Sequence, residues 1–273
     1  MIRPAFRFGP ALLFCPADRP DRYAKALDRA DAVILDLEDA VAGEAKQSAR
    51  DALVAHPLDP ERVIVRINPA RSPHREADLV ALAATAYRTV MVAKCEGPED
   101  LVGVAGYEAI PLCETASGVI AAPLLAAPAN VCALMWGAED LVASLGGTSS
   151  RHPDGRYRDV PRSARSRVLM SAGAAGAAAI DAVHLDLGDL EGLRDEAEDA
   201  AAVGFAATAC VHPAQVDVVR RAYLPSAERV AWAREVLDAS TAERGVFSFR
   251  GVMVDGPVLA QAEATLRRAG ERR

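Results

Sequence analysis

The stretch VILDLEDAV, residues 33–41, sets Asp36, Glu38 and Asp39 at the end of an apolar run. Acids placed there repel one another and are costly to desolvate, so a cation, a basic partner or a reaction must compensate them. Arg66 lies inside VIVRI, Glu114 in CETASG and Asp140 in GAED. A guanidinium in an apolar run is expensive unless paired, and it matches a carboxylate bidentately. Arg66 therefore reads as the partner of Glu38 or Asp39, of a substrate carboxylate, or of both. The surplus of acids asks for a hard cation. Magnesium takes oxygen ligands and usually needs only one or two carboxylates, with water and substrate completing its shell. Glu114 and Asp140 suit that role; structural carboxylates, capped or paired, are the alternative. No His/Cys cluster argues for zinc. No phosphate-loop or dinucleotide fingerprint is present, and no Ser–His–Asp spacing supports a nucleophile.

The elements that must position these residues are short apolar runs: ALLFCP (11–16), AVILDLE (32–38), RVIVRIN (62–68), TVMVAK (89–94), AIPLCET (109–115), VCALMWG (131–137), DAVHLDL (181–187) and ATACVHP (207–213). Each is short enough for a strand and apolar enough to be covered on both faces. Helical stretches such as DRYAKALDRA and EADLVALAATAY lie between them. Eight strand–helix alternations predict an α/β fold, a (β/α)₈ TIM barrel, whose chemistry sits at the C-terminal ends of the strands. Those ends carry Asp36, Glu38, Asp39, Arg66, Asn68, Lys94, Glu114, Glu139, Asp140, His184, Asp186 and His212. Residues 1–222 read as the barrel. Residues 223–273 add two helices, about 226–243 and 256–268, as a C-terminal extension expected to pack on the barrel or on a neighbouring subunit.

The chain has 273 residues, 51% hydrophobic and 25% charged, with a net charge of −7, which argues against a general nucleic-acid binder. Its start is locally basic: Arg3, Arg7, Arg19, Arg22, Lys25 and Arg29 stand against Asp18, Asp21 and Asp28. That start suits an anionic ligand, or a solvated helix face. Five cysteines in no zinc or disulfide pattern point to a reducing, cytoplasmic location. No secretion signal and no membrane span is read in the sequence.

LLFCPADRPDRYAKAL, VILDLEDAV, VRIN, LCETASGV, MWGAEDL, CVHPAQV and VMVDGPVLAQA occur in that order. Together they resemble the HpcH/HpaI aldolase and citrate lyase β-subunit superfamily. The resemblance is closest to stand-alone citrate-lyase-β-like proteins and β-hydroxyacyl-CoA lyases of the malyl-CoA and citramalyl-CoA type. It implies a barrel assembled as a trimer or hexamer. It also implies magnesium on Glu114 and Asp140, and Arg66 on the substrate carboxylate. Glu38 and Asp39 would orient Arg66 and the ion's water shell. Phe14, Pro16, Arg19 and Lys25 would hold the nucleotide end of coenzyme A, and Asp255 would reach a neighbouring subunit's site as acid/base. The implied reaction is cleavage of a malyl-, citramalyl- or 3-hydroxy-3-methylglutaryl-type thioester to acetyl-CoA and an oxo acid. The rivals are a citrate lyase β subunit acting on an acyl-carrier protein thioester, a metal-dependent aldolase of free 2-oxo acids, and a metabolite-binding barrel without catalysis.

Overall fold

The computed structural model describes residues 3–241 and 245–271. Eight parallel strands pair in chain order and β8 closes on β1: β1 Ala11–Pro16, β2 Ala32–Asp36, β3 Val63–Ile67, β4 Thr89–Val92, β5 Glu108–Cys113, β6 Ala133–Trp136, β7 Ala178–Asp181 and β8 Ala207–Cys210. The helices between them are α1 Pro20–Arg29, α2 Lys46–Ala55, α3 Arg75–Ala83, α4 Ala116–Ala126, α5 Ala138–Ser144, α6 Asp159–Ala175 and α7 Leu190–Val203, and α8 Pro213–Tyr223 follows β8. Between β4 and β5 only a short 3₁₀ turn, Pro98–Leu101, takes the helix's place.

The strands are buried nearly throughout, as a parallel sheet covered on both faces requires. Alternation along them decides which side chains fill the barrel. Leu12, Ile34, Ile64, Met91, Ile110, Leu112, Met135, Ile180 and Ala209 form the inner core with Phe8. Continuing that period of two toward the mouth reaches Phe14 on β1, Asp36 on β2, Arg66 on β3 and Glu114 just past β5. The register sets Asp36 directly opposite Arg66.

One strand falls elsewhere than the sequence suggests. DAVHLDL (181–187) reads as the seventh strand, whereas β7 is Ala178–Asp181. Alanine favours helices, so AAGAAAI blends into α6 by composition. The boundary is Gly176, which caps α6 at φ 70°, a left-handed backbone suited to glycine. His184 and Asp186 therefore lie beyond the strand, and Asp181 ends it with its side chain turned outward to α6.

The described residues from Arg220 onward form a compact unit of their own. Helices α9 (Ala227–Ala239) and α10 (Gly256–Arg268) flank a hairpin of β9 (Phe247–Phe249) and β10 (Val252–Val254). Arg250 and Gly251 turn the hairpin at φ 51° and 79°, the paired positive values of a two-residue turn. Ala233, Val236, Leu237, Val254, Ala262 and Leu266 make its core. Three-residue strands are too short to announce themselves by periodicity, so the sequence showed only the helices. Among the described residues no helix is long and apolar enough to cross a membrane.

Candidate active site

At the barrel mouth the Arg66 guanidinium is held by Asp36, Nε donating to Oδ1 at 2.7 Å and Nη2 to Oδ2 at 2.6 Å. Asp36 is fully buried and also accepts the backbone N–H groups of Glu38 (2.8 Å) and Ala40 (3.0 Å), so the turn after β2 is folded around this one carboxylate. Sequence reading gives Arg66 to Glu38 or Asp39, to a substrate carboxylate, or to both. In the structure Glu38 takes Nη1 at 3.2 Å and Asp39 turns to Lys94, so the chief partner is Asp36. The same inward parity explains the outcome: Asp36 shares a layer with Arg66, and Asp39 lies past the strand. Burial works against the Arg66 charge, yet Asp36, Glu38 and Glu114 outweigh it and raise its pKa. The Phe14 ring lies 4.8 Å beneath the guanidinium and closes its other side.

Glu114 is built differently. Burial pushes its carboxyl up to about 8; Arg66 opposes the rise, and Asp140 and Glu38 add to it. Among the described residues its hydrogen-bond donor is the backbone N–H of Lys94, 3.0 Å from Oε1. A Cβ at Gly137 would come within 2.9 Å of Glu114 Oε2, so the glycine keeps that face of the carboxylate open. One turn onward, α5 brings in Asp140. These residues line a cavity of about 190 Å³ with Phe14, Arg66, Met135 and Trp136. Among the described residues no three His, Cys, Asp or Glu side chains form a ready metal cage. Two carboxylates beside open volume are nevertheless what a hard ion sharing its shell with water and substrate uses.

Lys94, read in the sequence only as a strand end, proves central. Its Nζ pairs with Glu38, with Asp39 Oδ2 at 2.8 Å and with Asp140 Oδ1 at 3.4 Å. Burial disfavours its charge, but hydrogen bonds to Asp39 and Glu38 raise its pKa. Burial raises Glu38 against the pull of Arg66 and Lys94. Burial also opposes ionisation of Asp39, yet the Lys94 hydrogen bond leaves its pKa lowered.

A second hollow of about 830 Å³ adjoins the first, both being lined by Phe14 and Val211. Pro16, Lys25, Arg22, Arg29, His212 and Cys15 also face it. Arg22, Lys25 and Arg29 repeat at three and four residues along α1 and so share one face. Burial pushes the Cys15 thiol up to about 11, which keeps it neutral. Arg19 is not among the lining residues; it precedes α1 and pairs with Asp21. The basic N-terminus thus divides. Arg3 donates to the carbonyls of Val131 and Ala126, and Arg7 pairs with Glu61 and Glu108, so neither faces the hollow.

His184, although past its strand, is buried and bonded through Nδ1 to Glu196 at 2.9 Å, and Glu196 also holds Arg151 of the long loop after α5. Asp255 belongs to the second unit, where its carboxylate caps α10 by accepting the N–H of Val258.

Comparison with known proteins agrees with this architecture. Residues 11–213 match the HpcH/HpaI aldolase/citrate lyase family. A citrate lyase subunit beta-like protein of Mycobacterium tuberculosis is 57% identical over 96% of both chains. A mitochondrial citramalyl-CoA lyase of Mus musculus is 32% identical, covering 93% of this chain and 83% of its own. The crystal structure of the CitE protein of M. tuberculosis with magnesium, acetoacetate and coenzyme A superposes with a TM-score of 0.93 at 57% identity, over 97% of this chain and 99% of that one. The chain belongs to the HpcH/HpaI aldolase/citrate lyase family and is a lyase.

Proposed function

We propose that the protein is a magnesium-dependent carbon–carbon lyase that cleaves a β-hydroxyacyl-CoA thioester to acetyl-CoA and an oxo acid. The observation that carries this reading is the pairing of two adjoining hollows. One holds Arg66 between Asp36 and open volume beside Glu114 and Asp140, and the other is faced by Arg22, Lys25 and Arg29. A β-hydroxyacyl-CoA with a terminal carboxylate needs such a pair, a small polar site for the acyl end and a basic groove for the nucleotide phosphates. The CitE protein crystallised with magnesium, acetoacetate and coenzyme A supports the same ligand classes here.

Of the five N–H donors of Arg66, two are committed to Asp36, and Nη1, although ion-paired with Glu38, keeps donors for a substrate carboxylate. Its rigid mounting fixes where the hydroxyl-bearing carbon sits. Glu114 and Asp140 would hold the ion, which supplies Lewis acidity toward the hydroxyl and the developing oxo group. In the reaction the hydroxyl gives up its proton to solvent water at the mouth and the Cα–Cβ bond breaks. The electron pair passes into a thioester enolate, and a proton added at carbon completes acetyl-CoA. We assign that proton to Asp255, delivered from a neighbouring copy in a trimer or hexamer. Glu38 and Asp39, tied to Lys94, hold the wall of the site.

The test is a panel of malyl-, citramalyl- and 3-hydroxy-3-methylglutaryl-CoA, with magnesium and with excess chelator, following acetyl-CoA release. Magnesium-dependent cleavage is expected, and the preferred thioester names the substrate. Cleavage confined to a carrier-protein thioester, or to a free oxo acid substrate, would replace this reading.

A further inference from the structure

We propose that Lys94 is the resident counter-ion of the acids at the mouth, an ammonium that must release Asp140 before a divalent cation takes that carboxylate. The inference rests on the metal-dependent reading above and deepens it: the protein sets its own cation affinity through a competing side chain.

Three observations converge on this residue. First, Lys94 spans the mouth. Its ammonium contacts Glu38 and Asp39 from the turn after β2, and Asp140 from α5. Second, its backbone is left-handed at φ 47°, a strained conformation for a non-glycine residue. Just past β4, Ala93 and Cys95 still bond to the flanking strands, donating to Ile67 O at 3.3 Å and Leu112 O at 3.0 Å. The strained residue between them diverts its own N–H to Glu114 Oε1. Lys94 therefore touches both candidate ligands, Glu114 through its main chain and Asp140 through its side chain. Third, the three ammonium contacts are unequal. Glu38 and Asp39 are close partners, while Asp140 is the outlying one at 3.4 Å. The ammonium has an anchor to retain when Asp140 is withdrawn.

Two roles for such a lysine predict opposite signs. A latch that merely holds the turn after β2 against α5 supports the ligand geometry, so its removal weakens cation binding. A competing counter-ion occupies a ligand's charge, so its removal strengthens cation binding. The unequal distances favour the second role, because a latch would have its shortest contact on α5.

The experiment is calorimetric titration of the purified full-length protein with magnesium chloride alone, comparing wild type, Lys94→Gln and Lys94→Arg. Lys94→Gln should bind magnesium roughly two- to fivefold more tightly, the scale of one partly exposed ion pair. Its thermal midpoint should rise more than that of wild type on addition of a fixed magnesium concentration. Lys94→Arg, whose planar fork holds carboxylates more firmly, should bind the ion more weakly than wild type. Unchanged or weaker binding by Lys94→Gln would overturn the proposal and leave Lys94 a latch. Should the glutamine variant not fold, equal or tighter binding by Lys94→Arg overturns it as well. Failure of the wild-type protein itself to bind magnesium would sink the metal reading, and this proposal with it.

Discussion

Two of the buried-charge clusters in the barrel unit are built on opposite terms. On the outer face of β7, Asp181 accepts Nε and Nη2 of Arg165 at 3.0 and 2.8 Å and Trp136 Nε1 at 2.6 Å. Arg165 goes on to Asp199 at 2.6 Å and lies over Phe205. Nearby, Glu196 is shared between Arg151 and His184. Each buried carboxylate there meets a guanidinium. At the mouth Asp36 holds the Arg66 guanidinium with both oxygens, and Glu38 has only a longer contact with that same group. Glu38, Asp39 and Asp140 divide one ammonium, and Glu114 receives a single backbone donor. A balanced cluster has spent its electrostatics on the fold. An unbalanced one keeps a demand for positive charge that a ligand can meet, so imbalance rather than charge itself distinguishes a working site.

The comparison breaks if both clusters respond alike to mutation. Asp181→Ala leaves Arg165 buried without its bidentate partner. It should cost about 3–5 kcal/mol of stability, read as a fall of roughly 10 °C in the thermal midpoint, with the turnover of the surviving folded enzyme nearly unchanged. Glu114→Gln should do the reverse. The amide stands in for the protonated carboxyl that a pKa of about 8 leaves at neutral pH and still accepts the Lys94 N–H, so the midpoint should hold. Turnover of the thioester should fall by about 100-fold or more, since on the proposed reading Glu114 holds the ion and its loss removes several kcal/mol of charge stabilisation. Equal damage to stability from both variants would erase the distinction.

The same contrast explains what the sequence disclosed. Charged residues at the ends of apolar runs are visible because hydrophobic patterning marks a strand's end to within a residue or two, and Arg66 and Glu114 emerged that way. Asp36 was visible too, but its partnership with Arg66 depends on cross-strand register, which single strands do not encode. Lys94 was visible as a strand end, but its pairing was hidden for another reason. Nothing local announces that a lysine will take a left-handed backbone; that conformation follows from packing between β3 and β5. The Asp181–Arg165 pair was lost with β7, whose alanines carry helix propensity into a strand. Gly176 was the available signal, a helix stop just before the run. In the basic N-terminus, the spacing of Arg22, Lys25 and Arg29 was the better guide, because a shared helix face is a geometric statement and total charge is not.

Within the balanced cluster, Glu196 provides a pH test. Burial opposes its ionisation, but hydrogen bonds to His184 and Arg151 dominate and hold its carboxyl below the usual range. A depressed carboxylate contributes stability that is present above its unfolded pKa and is lost as pH falls through its folded pKa. Glu196→Gln should therefore cost about 1–2 kcal/mol at pH 7 by denaturant titration. The gap between the two proteins should close as pH drops below about 4.5. A gap that persisted or widened in acid would show that Glu196 acts by packing rather than by charge.

The smallest effects belong to the groove, where the cations are solvated and each phosphate contact we propose would be modest. Neutralising Arg22, Lys25 or Arg29 singly should raise the dissociation constant for coenzyme A roughly two- to fivefold, the scale of an exposed ion pair. The loss should shrink in high salt, because exposed charges a Debye length apart are screened. Arg19→Gln should leave coenzyme A binding unchanged, since its guanidinium is already committed to Asp21 through two bonds of 3.0 Å. Arg19 is thus the internal control for the groove: it shares the net charge of its neighbours but not their helix face. A loss on Arg19→Gln equal to that on Lys25→Gln would mean that the N-terminus acts through overall charge, and that the α1 face has no privileged role.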